Sequence, residues 1–287
     1  MHPTVQAFFD PATATATYLV SDPASKAAAV VDPVLDYEPK GARLSTRSAD
    51  AVLAAVRDHG LDLRYVLETH AHADHLSAAD YIRGRTGAAV VIGAHITEVQ
   101  KTFIPRFEAY DVTPDGAAFD RLVHDGERFE LGELRIEVLH TPGHTPACVT
   151  YRIGDAAFVG DTLFMPDYGT ARADFPGGDA AALYRSIRKI LSLPPETRLF
   201  VGHDYLPEHG RTEHRWESTV ADEAAANVHA HTGVTEADFV ARRQARDATL
   251  PPPVLLLPSL QVNIRAGALP PPTAEGRVFL RLPVTWT

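Results

Sequence analysis

Three histidines and an aspartate fall within six residues, in the run His70-Ala71-His72-Ala73-Asp74-His75. Imidazole and carboxylate together suit zinc, iron, nickel or manganese. A single histidine on a loop would need no function. Here the same residue types return at three further places: His144 in the rigid turn His140-Thr141-Pro142-Gly143-His144-Thr145-Pro146, Asp161 in Gly160-Asp161-Thr162, and His203 in Gly202-His203-Asp204-Tyr205. Each follows a stretch that reads as a strand. Convergence of several strand ends is how α/β folds build sites. Asp32, ahead of Pro33, has two readings: a turn-forming aspartate, or a carboxylate standing behind a metal ligand.

The elements that must position these residues are legible from periodicity. Val5 to Asp10, Thr15 to Ser21 and Ala27 to Val31 read as strands, the first two separated by a turn at Pro11. Val34 to Thr46 reads as an irregular polar loop. Ser48 to His59 reads as a helix with Ser48 as its N-cap and Gly60 as its stop. Arg64 to Thr69 is the strand that feeds the histidine run, Leu76 to Thr86 a helix, and Ala88 to Ile92 a strand, so the order is layered α/β. Glu98 to Phe103 predicts a short helix. Phe129 to Leu131 and Leu134 to Leu139 predict a hairpin around Gly132-Glu133; Cys148 to Ile153, Ala157 to Val159 and Leu199 to Val201 predict strands; Ala180 to Leu193 predicts a helix. Beyond that, Glu213 to Arg246 reads as two polar helices broken at Thr232-Gly233. The tail from Leu250 is Pro-rich, with a short strand expected at Gln261-Val262-Asn263-Ile264. The expected division is a catalytic domain over residues 1–212, with 213–287 as a helical and Pro-rich extension packed on it.

Composition narrows the function classes. At 287 residues, 45% apolar and 22% charged, the chain reads as an ordinary globular protein. A net charge of -10 with no basic stripe argues against nucleic acid. No apolar run approaches the ~18–20 residues of a membrane span. One cysteine, Cys148, excludes an internal disulfide and a cysteine-based zinc site. It sits in the apolar run Ala147-Cys148-Val149 and reads as a small buried hydrophobe rather than a nucleophile. Met1 to Gln6 carries no signal-peptide pattern, and the expected setting is cytoplasmic.

The order His70-x-His72-x-Asp74-His75, His144, Asp161, His203 resembles the metallo-β-lactamase superfamily over roughly residues 5 to 210. The resemblance implies a four-layer αβ/βα sandwich with metal at one edge. In two-metal members His70, His72 and His144 would hold one ion, Asp74, His75 and His203 the other, and Asp161 would bridge. Glu68 to His75, Thr141 to Thr150, Gly169-Thr170-Ala171-Arg172-Ala173-Asp174-Phe175 and His203-Asp204-Tyr205 are similar to the persulfide dioxygenase branch. That branch often shows Gly-Arg-Thr-Asp-Phe where this chain has Ala-Arg-Ala-Asp-Phe. The branch implies one Fe(II) per chain on His70, His144 and Asp161, a two-His-one-carboxylate face with three open positions. His72, Asp74, His75 and His203 would then stand behind those ligands. It further implies oxidation of glutathione persulfide by O₂ to sulfite and glutathione, and homodimers among its members.

For Arg172 the alternatives are a fork on a glutathione carboxylate and an ion pair with Asp167 or Asp174. Tyr205 either faces substrate or is a core tyrosine. The main rival is a zinc hydrolase of thioesters or lactones, of the glyoxalase II kind, with one or two Zn(II) on the same ligands. No clear basic cluster is read in the C-terminal helices to receive a glutathione thioester. A binding protein without turnover would show eroded ligands, and all seven are present.

Overall fold

The computed structural model describes residues 2–284. The first half of the chain runs β1 (Thr4–Asp10), β2 (Thr15–Ser21), β3 (Ala27–Val31), β4 (Val34–Glu38), β5 (Arg43–Ser45), α1 (Arg47–Asp58), β6 (Asp62–Glu68), β7 (Leu76–Ser77), α2 (Ala79–Thr86), β8 (Ala89–Gly93), α3 (Ile96–Phe107) and β9 (Arg121–Val123). The second half runs β10 (Arg128–Leu131), β11 (Leu134–His140), β12 (Val149–Ile153), β13 (Ala156–Gly160), α4 (Ala180–Leu191), β14 (Arg198–Val201), β15 (Glu217–Thr219), α5 (Val220–Ala226), α6 (Glu236–Asp247) and α7 (Leu256–Asn263).

Two six-stranded sheets result, in the orders β1-β2-β3-β6-β8-β9 and β10-β11-β12-β13-β14-β15, with β5-β4-β7 as a small third sheet. Apolar side chains alternate along the strands, so each large sheet buries both faces. Tyr18, Val20, Val31 and Leu67 of the first sheet meet Ile136, Tyr151, Phe158 and Phe200 of the second. The outer face of the first sheet packs on α1, α2, α3 and α7 through Val52, Ile82, Phe103 and Leu260. Leu183, Ile187 and Phe239 of α4 and α6 cover the second. The layers are therefore helix, sheet, sheet, helix, as the sequence leads one to expect. No helix among the described residues is long and apolar enough to cross a membrane.

Four local expectations need correction. Residues 34–46 are not an irregular loop: Asp36, Tyr37 and Glu38 pair with Ser45, Leu44 and Arg43 as a hairpin. Ser48 does not cap α1, because its N–H and hydroxyl both donate to Asp36, and Thr46 takes the cap position. The helix expected from Leu76 starts at Ala79, since Leu76 and Ser77 pair with Leu35 and Val34. Gln261 to Ile264 is the end of helix α7 and the residue that follows it, not a strand; Ile264 N–H returns to Leu260 O, as a helix requires.

Candidate metal centre

The two sheets meet at one edge, where Val149 N–H donates to Thr69 O and Ala16 N–H to Gly202 O. Strand β6 ends there and releases Thr69 to His75; the turn between β11 and β12 carries His144; β13 ends ahead of Asp161; β14 ends ahead of His203. The turn bearing His144 lies flat on α4. Gly143 has φ +137°, and a Cβ there would come within 2.2 Å of the Leu183 nitrogen, so only glycine fits.

All seven sequence-predicted residues converge. His70, His144 and Asp161 form one group and His72, Asp74, His75 and His203 another, each with candidate ligand atoms within 4.8 Å of one another. Asp161 faces both: its Oδ2 is 4.0 Å from His70 Nε2 and 3.7 Å from His144 Nε2, and its Oδ1 is 3.4 Å from His203 Nε2. His72 lies between the groups, its ring 4.1 Å from those of His70 and His75.

Hydrogen bonds behind the rings decide which nitrogen each presents. His144 Nδ1 is 2.8 Å from Arg172 O, an acceptor only, so Nδ1 carries the proton and Nε2 keeps its lone pair. Thr69 donates its hydroxyl proton to Asp32, so it accepts from His70 Nδ1–H at 3.0 Å and His70 Nε2 is free. His72 Nε2 lies 3.1 Å from Asp32 Oδ1 and 3.2 Å from Glu68 Oε2, which leaves Nδ1. Of its two sequence readings, Asp32 therefore takes the one behind a candidate ligand, and its sharp turn (φ +48°) serves that role. Burial works against charge on His72, yet Asp32 and Glu68 outweigh it and raise its pKa well above the usual value. For His203 burial is likewise overcome, by Asp161 and Asp74.

Among the described residues, His70 Nε2, His72 Nδ1, His75 Nε2, His203 Nε2, Asp74 Oδ2 and Asp161 Oδ1 are buried without a hydrogen-bond partner. So many buried ring nitrogens and carboxylate oxygens without a partner in one place are costly unless a cation takes them. The donor set fits a metal.

A cavity of about 640 Å³ opens on this edge, lined by His144, Asp161, Asp74, Phe164, Tyr205 and Arg246 among others. Tyr205 faces the cavity and stacks on His203 at 5.7 Å. Arg172 lines it too, but Nε and Nη2 bond Asp174 at 2.5 and 2.7 Å and Nη1 bonds Pro251 O, so the ion-pair alternative is the one realised. The Arg246 guanidinium, by contrast, has no hydrogen-bond or ion-pair partner among the described residues. With Arg242 and Arg243 it makes a basic cluster on α6, lining an adjacent cavity of about 240 Å³. The reading of no basic cluster in the C-terminal helices is thus corrected; the run Arg242-Arg243-Gln244-Ala245-Arg246 was the available signal. Cys148 is buried, its thiol pushed up to about 12 by burial, and accepts from Thr145.

Sequence reading also missed what braces the two loops. Asn263 Nδ2 donates to His72 O and His75 O, both at 2.8 Å, and its Oδ1 accepts from Ser77 N–H. Asn227, His229, Arg243 and Asp247 hold residues 169–173.

The metallo-beta-lactamase superfamily domain matches residues 10–203, more than half of the chain. A probable metallo-hydrolase of Burkholderia pseudomallei is 56% identical, over 98% of this chain and 99% of that one. Glyoxylase B2 of Dictyostelium discoideum is 44% identical over 98% and 97%. The human mitochondrial persulfide dioxygenase ETHE1 is 31% identical over 92% and 88%. Among solved structures, ETHE1 of Myxococcus xanthus superposes with a TM-score of 0.74 at 30% identity, covering 92% of this chain and all of that one.

Proposed function

The chain belongs to the metallo-β-lactamase superfamily, and on that footing we propose that it is an iron-dependent persulfide dioxygenase acting on a low-molecular-weight thiol persulfide, glutathione persulfide first among them. The reaction balances as RSSH + O₂ + H₂O → RSH + H₂SO₃. The observation that carries this reading is the His70–His144–Asp161 face at the head of the cavity, in a chain similar over most of its length to ETHE1 proteins. One Fe(II) held there would supply redox chemistry with O₂, which zinc cannot.

The chain's own residues supply the rest. Arg172 O accepts from His144 Nδ1 and so keeps Nε2 turned to the cavity; Thr69 accepts from His70 Nδ1 and leaves its Nε2 facing Asp161. Phe164, Leu250 and Pro253 make apolar walls that keep bulk water from a reactive sulfur. Arg246 offers a guanidinium without a partner among the described residues for a carboxylate of the thiol carrier, one of the two roles the sequence left open for Arg172. Tyr205 closes the cavity against His203. Residues 1–212 carry the candidate ligands as the catalytic unit, and residues 213–284 add its brace, part of the cavity wall and Arg246.

The second reading, a zinc-dependent hydrolase of thioesters or lactones with one or two Zn(II), is favoured by the complete second His/Asp group, by the basic cluster on α6 and by likeness to a probable metallo-hydrolase and to glyoxylase B2. Oxygen uptake with glutathione persulfide separates the two, comparing iron-loaded with zinc-loaded protein. Uptake and sulfite release with iron alone support the dioxygenase. Uptake with neither metal, together with thioester or lactone cleavage by the zinc form, overturns it. Asp161→Ala removes the carboxylate that both groups share. It should lower turnover by more than the roughly 10–100-fold that changes behind a metal ligand cost, with loss of bound metal by elemental analysis.

A further inference from the structure

Asp10, Pro11, Thr13 and Thr15 look remote from the chemistry in sequence. Asp10 closes the turn after β1: its carboxylate accepts from Ala12 N–H and Thr13 N–H, and from the Thr13 hydroxyl at 2.7 Å. The Thr13 proton is thereby committed to Asp10. Thr13 Oγ1 is also 2.7 Å from Thr15 Oγ1, so Thr15 must be the donor in that pair. With its only proton given to Thr13, the Thr15 oxygen can act toward anything else solely as an acceptor. What it faces is His203 Nδ1 at 3.3 Å and His75 Nδ1 at 3.4 Å. Thr15 is fully buried, and it forms a bridge with His203 across the seam between the sheets.

We propose that Thr15 is a positioning residue whose single hydroxyl, polarised by the Asp10–Thr13 relay, fixes the ring protons of both His75 and His203 on Nδ1 and so aims both Nε2 atoms at Asp74 as a second cation seat. The inference rests on the reading of the cluster as a metal centre, yet its first test needs no metal. Both Nε2 atoms are among the buried ring nitrogens without a hydrogen-bond partner. Asp74 reaches the same place, its Oδ2 3.1 Å from His203 Nε2. For His75 a second acceptor stands near Nδ1, Asp74 Oδ1 at 3.6 Å. Among the described residues His203 Nδ1 has only Thr15, so His203 is the ring that decides.

The test uses the full-length chain, ¹⁵N-labelled, with Thr15→Val, which keeps the shape and removes the acceptor, and Thr15→Ser, which restores it. In metal-free protein the His203 Nδ1-bound proton should be a protected signal, assigned by its loss in His203→Gln. In Thr15→Val it should vanish or exchange at least about tenfold faster, and Thr15→Ser should recover it. Zinc titration then reads the consequence: the second equivalent should bind about 10–100-fold more weakly in Thr15→Val, as when a group behind a metal ligand is removed, with the first equivalent unchanged. An equally protected Nδ1 proton in Thr15→Val, or its loss in Thr15→Ser as well, overturns the proposal whatever the zinc stoichiometry. A chain that binds no zinc at all would instead fail the metal reading, and the proton signals would still decide the role of Thr15.

Discussion

The two loops that carry the His/Asp groups are held from behind in different ways. Between the anchors at Thr69 and β7, the backbone of residues 70–75 hangs on one side chain among those described: Asn263 satisfies the His72 and His75 carbonyls and the N–H of Ser77. The backbone of residues 169–173, whose Arg172 carbonyl orients His144, is held by four side chains. Asn227 donates to Gly169 O at 3.0 Å, Arg243 to Thr170 O at 3.2 Å, His229 accepts from Thr170 N–H at 3.1 Å, and Asp247 accepts from Ala173 N–H at 2.9 Å. Backbone groups in a buried loop without its own ladder need partners. One solution concentrates them in a single amide from α7; the other spreads them over α5, α6 and the loop between them. The physical consequence is a difference in fragility.

The largest expected effect follows from the concentrated clamp. Asn263→Ala strands two buried carbonyls and one N–H, each costing roughly 1–3 kcal/mol when left unpaired. A destabilisation of at least about 3 kcal/mol should appear in urea unfolding of metal-free protein, where ligand binding cannot mask it. A loss under about 1 kcal/mol would mean that water or a neighbour replaces the clamp, and the contrast between the loops would collapse.

That clamp also marks where sequence reading stops. β1, β2 and β3 were legible to within a residue because alternating or fully apolar runs admit one reading. The seven candidate ligands were legible because chemistry restricts their types. Asn263 was not, since a single amide in an apolar run carries no signal of a partner 191 residues away; Val262 and Ile264 beside it even favoured a strand. Thr15 was hidden for the same reason, its histidines lying 60 and 188 residues on. The β4–β5 hairpin was missed because β5 is a polar edge strand and β4 buries only Val34 and Leu35, so pairing rather than a burial pattern fixes it. Arg246 was readable as sequence, but only the cavity separates it from paired Arg243 and from the already paired Arg172.

The distributed brace has its own weak point in pH. Glu223 accepts from Ser218 Oγ and from Asn227 Nδ2, each at 2.7 Å, and so steadies the amide that holds Gly169. Burial pushes its carboxyl up to about 7. The folded chain therefore holds this proton more tightly than the unfolded one, a stabilisation complete below about pH 4.5 and lost as pH rises through 7. Glu223→Gln mimics the protonated form. It should match the native chain near pH 5 and exceed it near pH 8 by up to about 3 kcal/mol, read as the difference between paired urea curves. Equal stabilities at both pH values would show that the carboxyl titrates as an exposed one.

The smallest effect is expected from removing one member of the four. His229→Ala takes the acceptor from Thr170 N–H, but the site is half-buried, so water can replace the ring, and Asn227, Arg243 and Asp247 remain. A cost of about 1 kcal/mol is expected, with metal content unchanged. The ring is neutral because burial, and then Arg243, Arg246 and Arg242, hold its pKa down to about 4. Between pH 6.5 and 4 the unfolded chain takes up a proton here that the folded chain refuses, so this contribution falls as pH falls, and the variant should lose less stability across that window. If His229→Ala instead cost as much as Asn263→Ala and released metal, the second loop would also hang on one point, and its four partners would be a chain in series rather than supports in parallel.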